Sequence, residues 1–418
     1  MSSVRPLLLG LALISAQASG EVPLLNGGHL KAAWLTAGYP EDSVFRDAVG
    51  AVTHDQAAEL RLKFRAPRPG PLQLQADYQW LARHGDTVPL AADFENLFLL
   101  PPVLPDDERR WWDLTHEISS SDNSAVVQRL DRLAVSWAGE KAFARFGRQA
   151  VSWGNGLIYN PMDFFNPFDP AAVDTEYKIG DDMFYGQYLL DSGNDWQMVN
   201  VQRRDEEGDV SRAVSSTALK FHGFGLNREF DLLLAQHFEQ TLVGGGGLLN
   251  VGESVLRGDV LFTDAQEDWV VSAVVNWSYS WTWRGVNISG VAEYFFNGFG
   301  LREADYSPQK IAAAEDLVQR IERGELFTLG RHYLAGSLMV EVTPLVNVTP
   351  NLFYNMGDGS MLAQLVLQWD LAQNWQVLSA VNVPIGPAGT EYGGLETGVD
   401  DLTLGSGPGF FVQAAFYF

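Results

Sequence analysis

Apolar and polar residues alternate along most of this chain with a period of two rather than 3.6, the pattern of strands with one apolar face. The clearest run is Val271 to Trp283. Val271, Ala273, Val275, Trp277, Tyr279, Trp281 and Trp283 share one face. Ser272, Asn276, Ser278, Ser280 and Thr282 share the other, with Val274 the exception. Leu72, Leu74, Ala76, Tyr78, Trp80 and Ala82 alternate in the same way with Gln73, Gln75, Asp77, Gln79, Leu81 and Arg83. Leu334 to Val342 and Met361 to Trp369 repeat the pattern. A soluble sandwich strand alternates too, but aromatics gathered at one end of the apolar face suit the girdle of a bilayer interface. Recurrence along the chain makes a closed barrel in lipid more economical than a soluble fold. The expected fold class is all-β: a transmembrane antiparallel up-and-down β-barrel of about 18 strands, within roughly 14 to 18.

Loop lengths set the direction. Long segments fall near 84–123, 154–182, 297–330 and 385–407, and short turns at Pro67–Gly70, Ala138–Glu140, Arg284–Gly285 and Ala372–Asn374. Short turns belong on the periplasmic side of such a barrel and long loops outside. Keeping the long segments together requires a strand near 28–38, with Leu30, Ala32 and Trp34 outward. It also requires a hairpin within 228–248 that turns near Glu239. The glycines Gly244–Gly247 then lie in a strand, and they lack the Lys-Ser/Thr ending of a phosphate-binding loop. Residues 307–324 predict a helix inside a long loop: Ser307 to cap, Pro308 first, a stripe of Ile311, Ala314, Leu317, Val318 and Ile321, and Gly324 to close. It would fold into the pore, lie outside as a lid, or simply stabilise the loop.

The chain has 418 residues, no Cys, 13 Trp, 13 Tyr and 24 Phe. No run approaches the roughly 20 apolar residues of a spanning helix. Residues 1–20 read as a secretory signal: Arg5, the apolar Leu7–Ile14, then Ala16-Gln17-Ala18 or Ala18-Ser19-Gly20 at the cleavage site. Residues 21–418 would form a single barrel domain. Without Cys, disulfides and thiolate metal sites are excluded, and no cofactor is expected. The net charge of −24 argues against nucleic acid as a partner.

The chain ends Phe410-Phe411-Val412-Gln413-Ala414-Ala415-Phe416-Tyr417-Phe418, with Phe410, Val412, Ala414, Phe416 and Phe418 on one face. This resembles the last strand of Gram-negative outer-membrane β-barrels. The resemblance implies a bacterial outer-membrane location, a lipid surround, and recognition of Phe416 and Phe418 by the barrel-assembly machinery. A second stretch is similar to poorly characterised proteobacterial barrels. It reads Gly147-Arg148-Gln149, then Trp153-Gly154, then Asn160-Pro161-Met162-Asp163, a G-R-Q-x-x-x-W-G and N-P-x-D pattern. It speaks for the porin-like class and hardly for a solute.

Charge is unevenly placed. Arg61, Lys63 and Arg65 lie on the non-lipid face of one strand, and Arg83, Arg129, Arg132, Arg145 and Arg148 fall on the next three. The 154–182 segment carries Asp163, Asp169, Asp174, Glu176, Asp181 and Asp182 against Lys178, and its Tyr159, Phe164, Phe165 and Phe168 need burial. The segment is therefore expected partly inside the lumen, as a constriction loop; the alternative is an external loop packed on its neighbours. A basic wall facing an acidic loop would set a transverse field across the opening. Asp231, Glu239, Asp259, Glu293, Glu341 and Asp370 would line the far wall. The competing reading is that these charges pair to fill a plugged lumen. Strand pleat puts Arg145 and Arg148 on opposite faces unless a bulge near Gly147 corrects the phase.

The external loops are acidic, and solvated charge explains them better than a Ca²⁺ site, because no spacing matches an EF-hand. A barrel hydrolase would need His222 or His237 beside a Ser or carboxylate, and no G-x-S-x-G marks a nucleophile. The chain therefore reads as a non-enzymatic outer-membrane channel for passive diffusion of small polar or charged solutes. Its oligomeric state is left open. The alternatives are a barrel of an export or lipid-trafficking system and, behind it, an outer-membrane hydrolase.

Overall fold

A computed structural model describes residues 24–67, 70–93, 104–266, 268–303, 305–399 and 401–418. The expected signal at 1–20 and the 94–103 part of the first long loop lie outside these residues. In chain order the strands are β1 (Leu25–Gly38), β2 (Val52–Pro67), β3 (Leu72–Gly85), β4 (Thr115–Ser121), β5 (Ser124–Ala138), β6 (Ala142–Gln149), β7 (Asp181–Leu189), β8 (Asp195–Val201), β9 (Ser216–Phe224) and β10 (Arg228–His237). They continue with β11 (Gln240–Val251), β12 (Ser254–Asp264), β13 (Trp269–Trp283), β14 (Val286–Phe296), β15 (His332–Thr343), β16 (Val346–Asn355), β17 (Met361–Ala372), β18 (Trp375–Ile385), β19 (Leu395–Glu396), β20 (Thr403–Leu404) and β21 (Gly409–Tyr417).

Eighteen of these strands close an antiparallel barrel, as the alternation predicts. β1 seals it by pairing β2 on one side and β21 on the other, so that His29 lies opposite both Arg61 and Tyr417. Three strands stand outside the ring. β19 and β20 pair with each other in the last long loop. β4, which loop-length reasoning missed, pairs the Ser124–Arg129 half of β5, while β6 pairs the Leu133–Ala138 half.

The parity elements form as expected. β1 spans the 28–38 region, and β10 and β11 meet through Phe238 and Glu239. Both turn residues have positive φ, 47° and 62°, as a two-residue hairpin turn of matching twist demands. The long segments 86–114, 150–180, 297–331 and 386–408 all leave from one end.

β13 shows how the pattern becomes a wall. Val275 and Trp277 are 44% and 47% exposed on the outward face, while Ser272, Val274 and Asn276 are buried. Val274 broke the pattern because its inward face meets protein instead of water: it packs with Tyr159, Phe295 and Tyr333. The expected 307–324 helix is split into α3 (Pro308–Ala312) and α4 (Glu315–Glu322); these follow α1 (Val44–Val49) and α2 (Thr87–Asp93). Ser307 makes no side-chain cap bond, and Ala314 leaves helical geometry at ψ 61°. Ile311 and Leu317 are buried with Tyr306, Leu329 and Leu395 in a small core of loop residues. That packing overrides the uninterrupted helical pattern.

The main apolar core lies inside the barrel. Trp153, Met162, Phe164 and Phe165 pack against Met183, Val199, Ala218, Leu233, Leu242 and Leu261 of the wall. Tyr159 packs against Val274, Phe295, Tyr333 and Phe353, its ring stacked on Phe295 at 4.8 Å.

Candidate functional site

The segment 150–180 leaves β6 and crosses the lumen to the opposite wall. Its first anchors are carboxylates on β12 and β14. Asp259 accepts the backbone N–H of Asn155 (2.5 Å) and its side-chain amide (2.7 Å). Glu293 accepts the N–H groups of Leu157 (2.8 Å), Ile158 (3.1 Å) and Tyr159 (2.6 Å). Asn276 donates to the Asn155 carbonyl. Farther on, Gln364 of β17 donates to the Ala171 carbonyl (2.8 Å). At the far side Asp174 accepts from Lys31 of β1 (2.6 Å) and Gln413 of β21 (2.9 Å), and Glu176 accepts from Tyr417 (2.9 Å). A bond to a charged group contributes about 1.5–3 kcal/mol, so this set fixes the path of an irregular segment that has no ladder of its own. Among the expected far-wall acids, Asp259 and Glu293 clasp backbone, and Asp231 holds the Asn155 amide and His222. Glu239 sits in the β10–β11 turn, and Glu341 and Asp370 bond Asn287 and Gln376 instead.

The near wall is rich in ion pairs. Arg61 and Arg132 both reach Asp131, at 2.7 and 2.6 Å. Arg148 bridges Asp182 (2.8 Å) and Asp107 (2.6 Å), and Arg129 approaches Asp107 at 3.5 Å. Lys178 holds Asp163 at 2.5 Å, and Arg203 holds Asp181 at 2.8 Å. Asp181 and Asp182 begin β7, so they belong to the wall and not to the loop where the sequence pattern put them. Asp169 caps the Ala171 N–H and is exposed. Arg145 donates to Ser136 at 2.9 Å and lies over the Phe143 ring. Among the described residues, Lys63 has only the Tyr177 ring as partner (4.8 Å), and Arg83 has no hydrogen bond or ion pair.

No register shift separates Arg145 from Arg148: the pairing runs unbroken from Leu133↔Arg148 to Ser136↔Arg145. The phase changes at Gly147 itself, whose φ is +128°. A Cβ there would lie 2.1 Å from the Leu133 carbonyl oxygen, so only glycine fits. Arg148 thereby becomes fully buried while Phe146 stays 45% exposed. Sequence reasoning missed Lys31, Glu59, Asp107, Asp131 and Tyr177. Lys31 was legible, lying on the polar face of a run whose outward residues are Leu30, Ala32 and Trp34. Asp107, on a remote loop, carried no signal.

Burial acts first on the loop carboxyls. It would raise Asp107, but the bond to Arg148 and the charges of Arg110 and Arg129 hold that group down to about 2. Burial pushes Asp163 up to about 6 against the pull of Lys178, and burial lowers Lys178 in turn.

Between the basic wall and the segment lies a cavity of about 530 Å³. Lys31, Glu59, Arg61, Arg83, Arg129 and Asp131 line it from the strands, and Asp174 and Tyr177 line it from the segment. The two apolar clusters occupy the β7–β16 side of the lumen, so this cavity is off-centre, against β1, β2, β3, β5 and β21.

His237 does lie beside a serine and a carboxylate: Nδ1 meets Ser216 Oγ at 2.7 Å and Nε2 meets Glu325 at 2.8 Å. Ser216 Oγ also receives Arg203 (2.8 Å). Ser216 and His237 are 2% and 0% exposed. The arrangement ties the helical loop to the wall, and its hydroxyl faces no open space.

No protein-family model matches the chain, and no curated protein matches it. Solved structures do match in fold. Wzi of Escherichia coli, an outer-membrane protein involved in group 1 capsule assembly and a carbohydrate-binding β-barrel, aligns at 10% identity over 98% of this chain and 88% of its own, with a TM-score of 0.52. OccAB4 of Acinetobacter baumannii aligns at 9% identity over 94% and 97%, with a TM-score of 0.50. OccAB1 of the same organism aligns at 10% identity over 96% and 98%, also at 0.50. At such identity the likeness is one of fold.

Proposed function

We propose that this chain is a bacterial outer-membrane channel through which small polar or charged solutes diffuse passively, by an off-centre passage that the 150–180 segment constricts. The observation that carries this reading is the cavity between the Arg61–Arg83–Arg129 wall and the segment, in a barrel whose opposite side is filled by the two apolar clusters. The outward faces are apolar where a bilayer would cover them, and the long loops share one end, as in barrels with extracellular loops. Residues 1–20 would be removed on export. Purified protein in planar bilayers should give discrete conductance steps in KCl, and liposomes carrying it should swell in small sugars, amino acids or organic acids. Absence of both, with the barrel folded, rejects the channel.

A second reading is a barrel that serves an export or lipid-trafficking apparatus, its filled lumen docking a partner. The observation favouring it is the extent of the two apolar clusters, and the fold shared with Wzi is compatible with it. Such a barrel would not conduct alone.

A further inference from the structure

One aromatic side chain of the crossing segment stands on its open side. The Tyr177 ring lies over the Arg61 guanidinium, 4.1 Å from its centroid, with the ammonium groups of Lys63 and Lys31 at 4.8 and 5.7 Å. The His29 ring lies 5.3 Å away. These partners occupy successive levels of the wall. His29 pairs Arg61 across β1 and β2, and Lys31 pairs Glu59 one step toward the long loops. Lys63 lies one step toward the short turns. Lys31 and Arg61 line the cavity, whereas His29 and Lys63 do not. The ring therefore stands at the cavity's floor, between Lys31 and Arg61, which line the cavity, and Lys63, which does not. Lys63 and Arg65 beyond it stay partly exposed on the inward face, so solvent reaches them from the short-turn end.

The residues around Tyr177 are tied down. Asp174 is held by Lys31 and Gln413, and Glu176 by Lys31 and Tyr417. The backbone is thus fixed, while the ring is held by cations over its faces, contacts without the directional demand of a hydrogen bond, and by one bond from its hydroxyl to Glu176. The cation contacts reform after a change of rotamer, and the single hydroxyl bond is the one that must break.

We propose that Tyr177 is the specificity-determining residue of the passage: its ring closes the floor of the cavity and sets the size of solute that reaches the periplasmic half of the lumen. This rests on the channel reading above. A solute that crosses displaces the ring and takes its place beside Arg61 and Lys63.

The test compares wild type, Tyr177→Ala, Tyr177→Phe and Lys63→Met by single-channel recording in KCl and by liposome swelling in uncharged sugars of increasing size. Tyr177→Ala is expected to raise conductance about two- to threefold and to admit sugars that wild type excludes, since pore diameter governs both. Tyr177→Phe loses the hydroxyl's bond to Glu176 but keeps the wild-type size limit, because the ring supplies the bulk. Lys63→Met keeps the bulk but removes one of the cation contacts that hold the ring, so the open channel becomes noisier. Folding is checked by heat-modifiable migration. A folded Tyr177→Ala with wild-type conductance and size limit overturns the proposal. Should Tyr177→Ala fail to fold, an open-channel noise unchanged in Lys63→Met overturns it instead. A silent wild type with a conducting Tyr177→Ala supports the gate. Silence in both rejects the channel itself and this inference with it.

Discussion

Gly246 leaves the space that Asp259 occupies: a Cβ on Gly246 would lie 1.8 Å from Asp259 Oδ1. The two residues face each other across β11 and β12. Asp259 in turn holds Asn155 at the entry of the lumen segment. Within the run of four glycines, Gly246 thus makes room for a carboxylate that positions an irregular chain 104 residues away. Gly246→Ala should dislodge that carboxylate and loosen the segment near Asn155 while β11 and β12 stay paired. Hydrogen exchange of 155–159 should accelerate at least tenfold, about 1.4 kcal/mol of local opening, with strand amides unchanged. Glu293→Gln, which retains hydrogen-bonding oxygen but loses charge, should give a smaller effect in the same residues.

Glu391 of the last long loop gives the loops a pH dependence. It accepts from Tyr333 (2.5 Å), Asn355 (2.7 Å) and the Leu329 N–H (2.8 Å), and its own N–H bonds Asp358. Burial, with the Asp358 charge adding to it, pushes Glu391 up to about 7. A carboxyl raised in the folded state stabilises fully below its ordinary value, and that stability is lost as pH rises through about 7. Glu325 runs the other way. Burial would raise it, but His237, Arg320 and Arg323 hold it down to about 2, so its contribution fades only in acid. Protease nicking within 386–399 should therefore rise as pH climbs from about 4.5 to about 7, the interval between the ordinary and the raised value, and level off above it. Glu391→Gln should flatten the rise; a rise that persists in this variant assigns it elsewhere.

The chain's end is built into the seam. Phe418 N–H bonds the Gly28 carbonyl at 3.1 Å, its own carbonyl receives Gly28 N–H at 2.8 Å, and its ring lies where a Gly28 Cβ would sit. The seam between β1 and β21 joins the strands farthest apart in sequence, so it is the contact with the largest loop-closure cost. Phe418→Ser should lower the yield of heat-modifiable barrel without reducing export, as the assembly-signal reading requires. Wild-type amounts of folded barrel would remove that role from Phe418.

The outward face has its own test. Val275 is 44% exposed midway along β13, with Trp277, Tyr279 and Trp281 stacked beside it toward the short-turn end. In a bilayer, Val275→Arg should cost about 2–4 kcal/mol, read as a shift in urea unfolding from lipid vesicles. An unchanged midpoint means that this strand does not meet hydrocarbon.

The wall was legible because each strand repeats one rule. The period of two assigns Trp277 and Asn276 to opposite faces without knowledge of their neighbours, and loop parity then recovers β1 and the β10–β11 hairpin. What the lumen holds was legible in kind but not in pairing. The aromatics of 159–165 announced a need for burial, and the basic residues of β2, β3 and β5 stood out on one side. Their partners did not. Asp107 reaches Arg148 from a remote loop, and Asp131 sits in the bulge where Asp77 and Tyr78 pair Arg132 and Leu130. Neither period nor composition encodes such contacts, because they depend on how an irregular segment folds inside a finished barrel.

Those pairings decide which charge tunes a passage. Arg148 is fully buried between Asp182 and Asp107, so reversing it would leave three acids together and cost several kcal/mol of stability. A change of selectivity in that variant would report a damaged wall. Arg83 is different. It lines the cavity, and no described residue pairs with it. Asp55 and Glu59 act on it through space and offset part of its charge, and the rest of its field reaches any ion in the cavity. Arg83→Glu should therefore keep the barrel folded and move the reversal potential toward cation preference in a tenfold KCl gradient. Arg83→Gln should move it about half as far, since it removes one charge where Glu changes two. High salt should shrink both shifts, because the Debye length falls to about 3 Å at 1 M. Equal reversal potentials in all three proteins, with conductance intact, would place the ion path away from β3 and reject the passage along the basic wall.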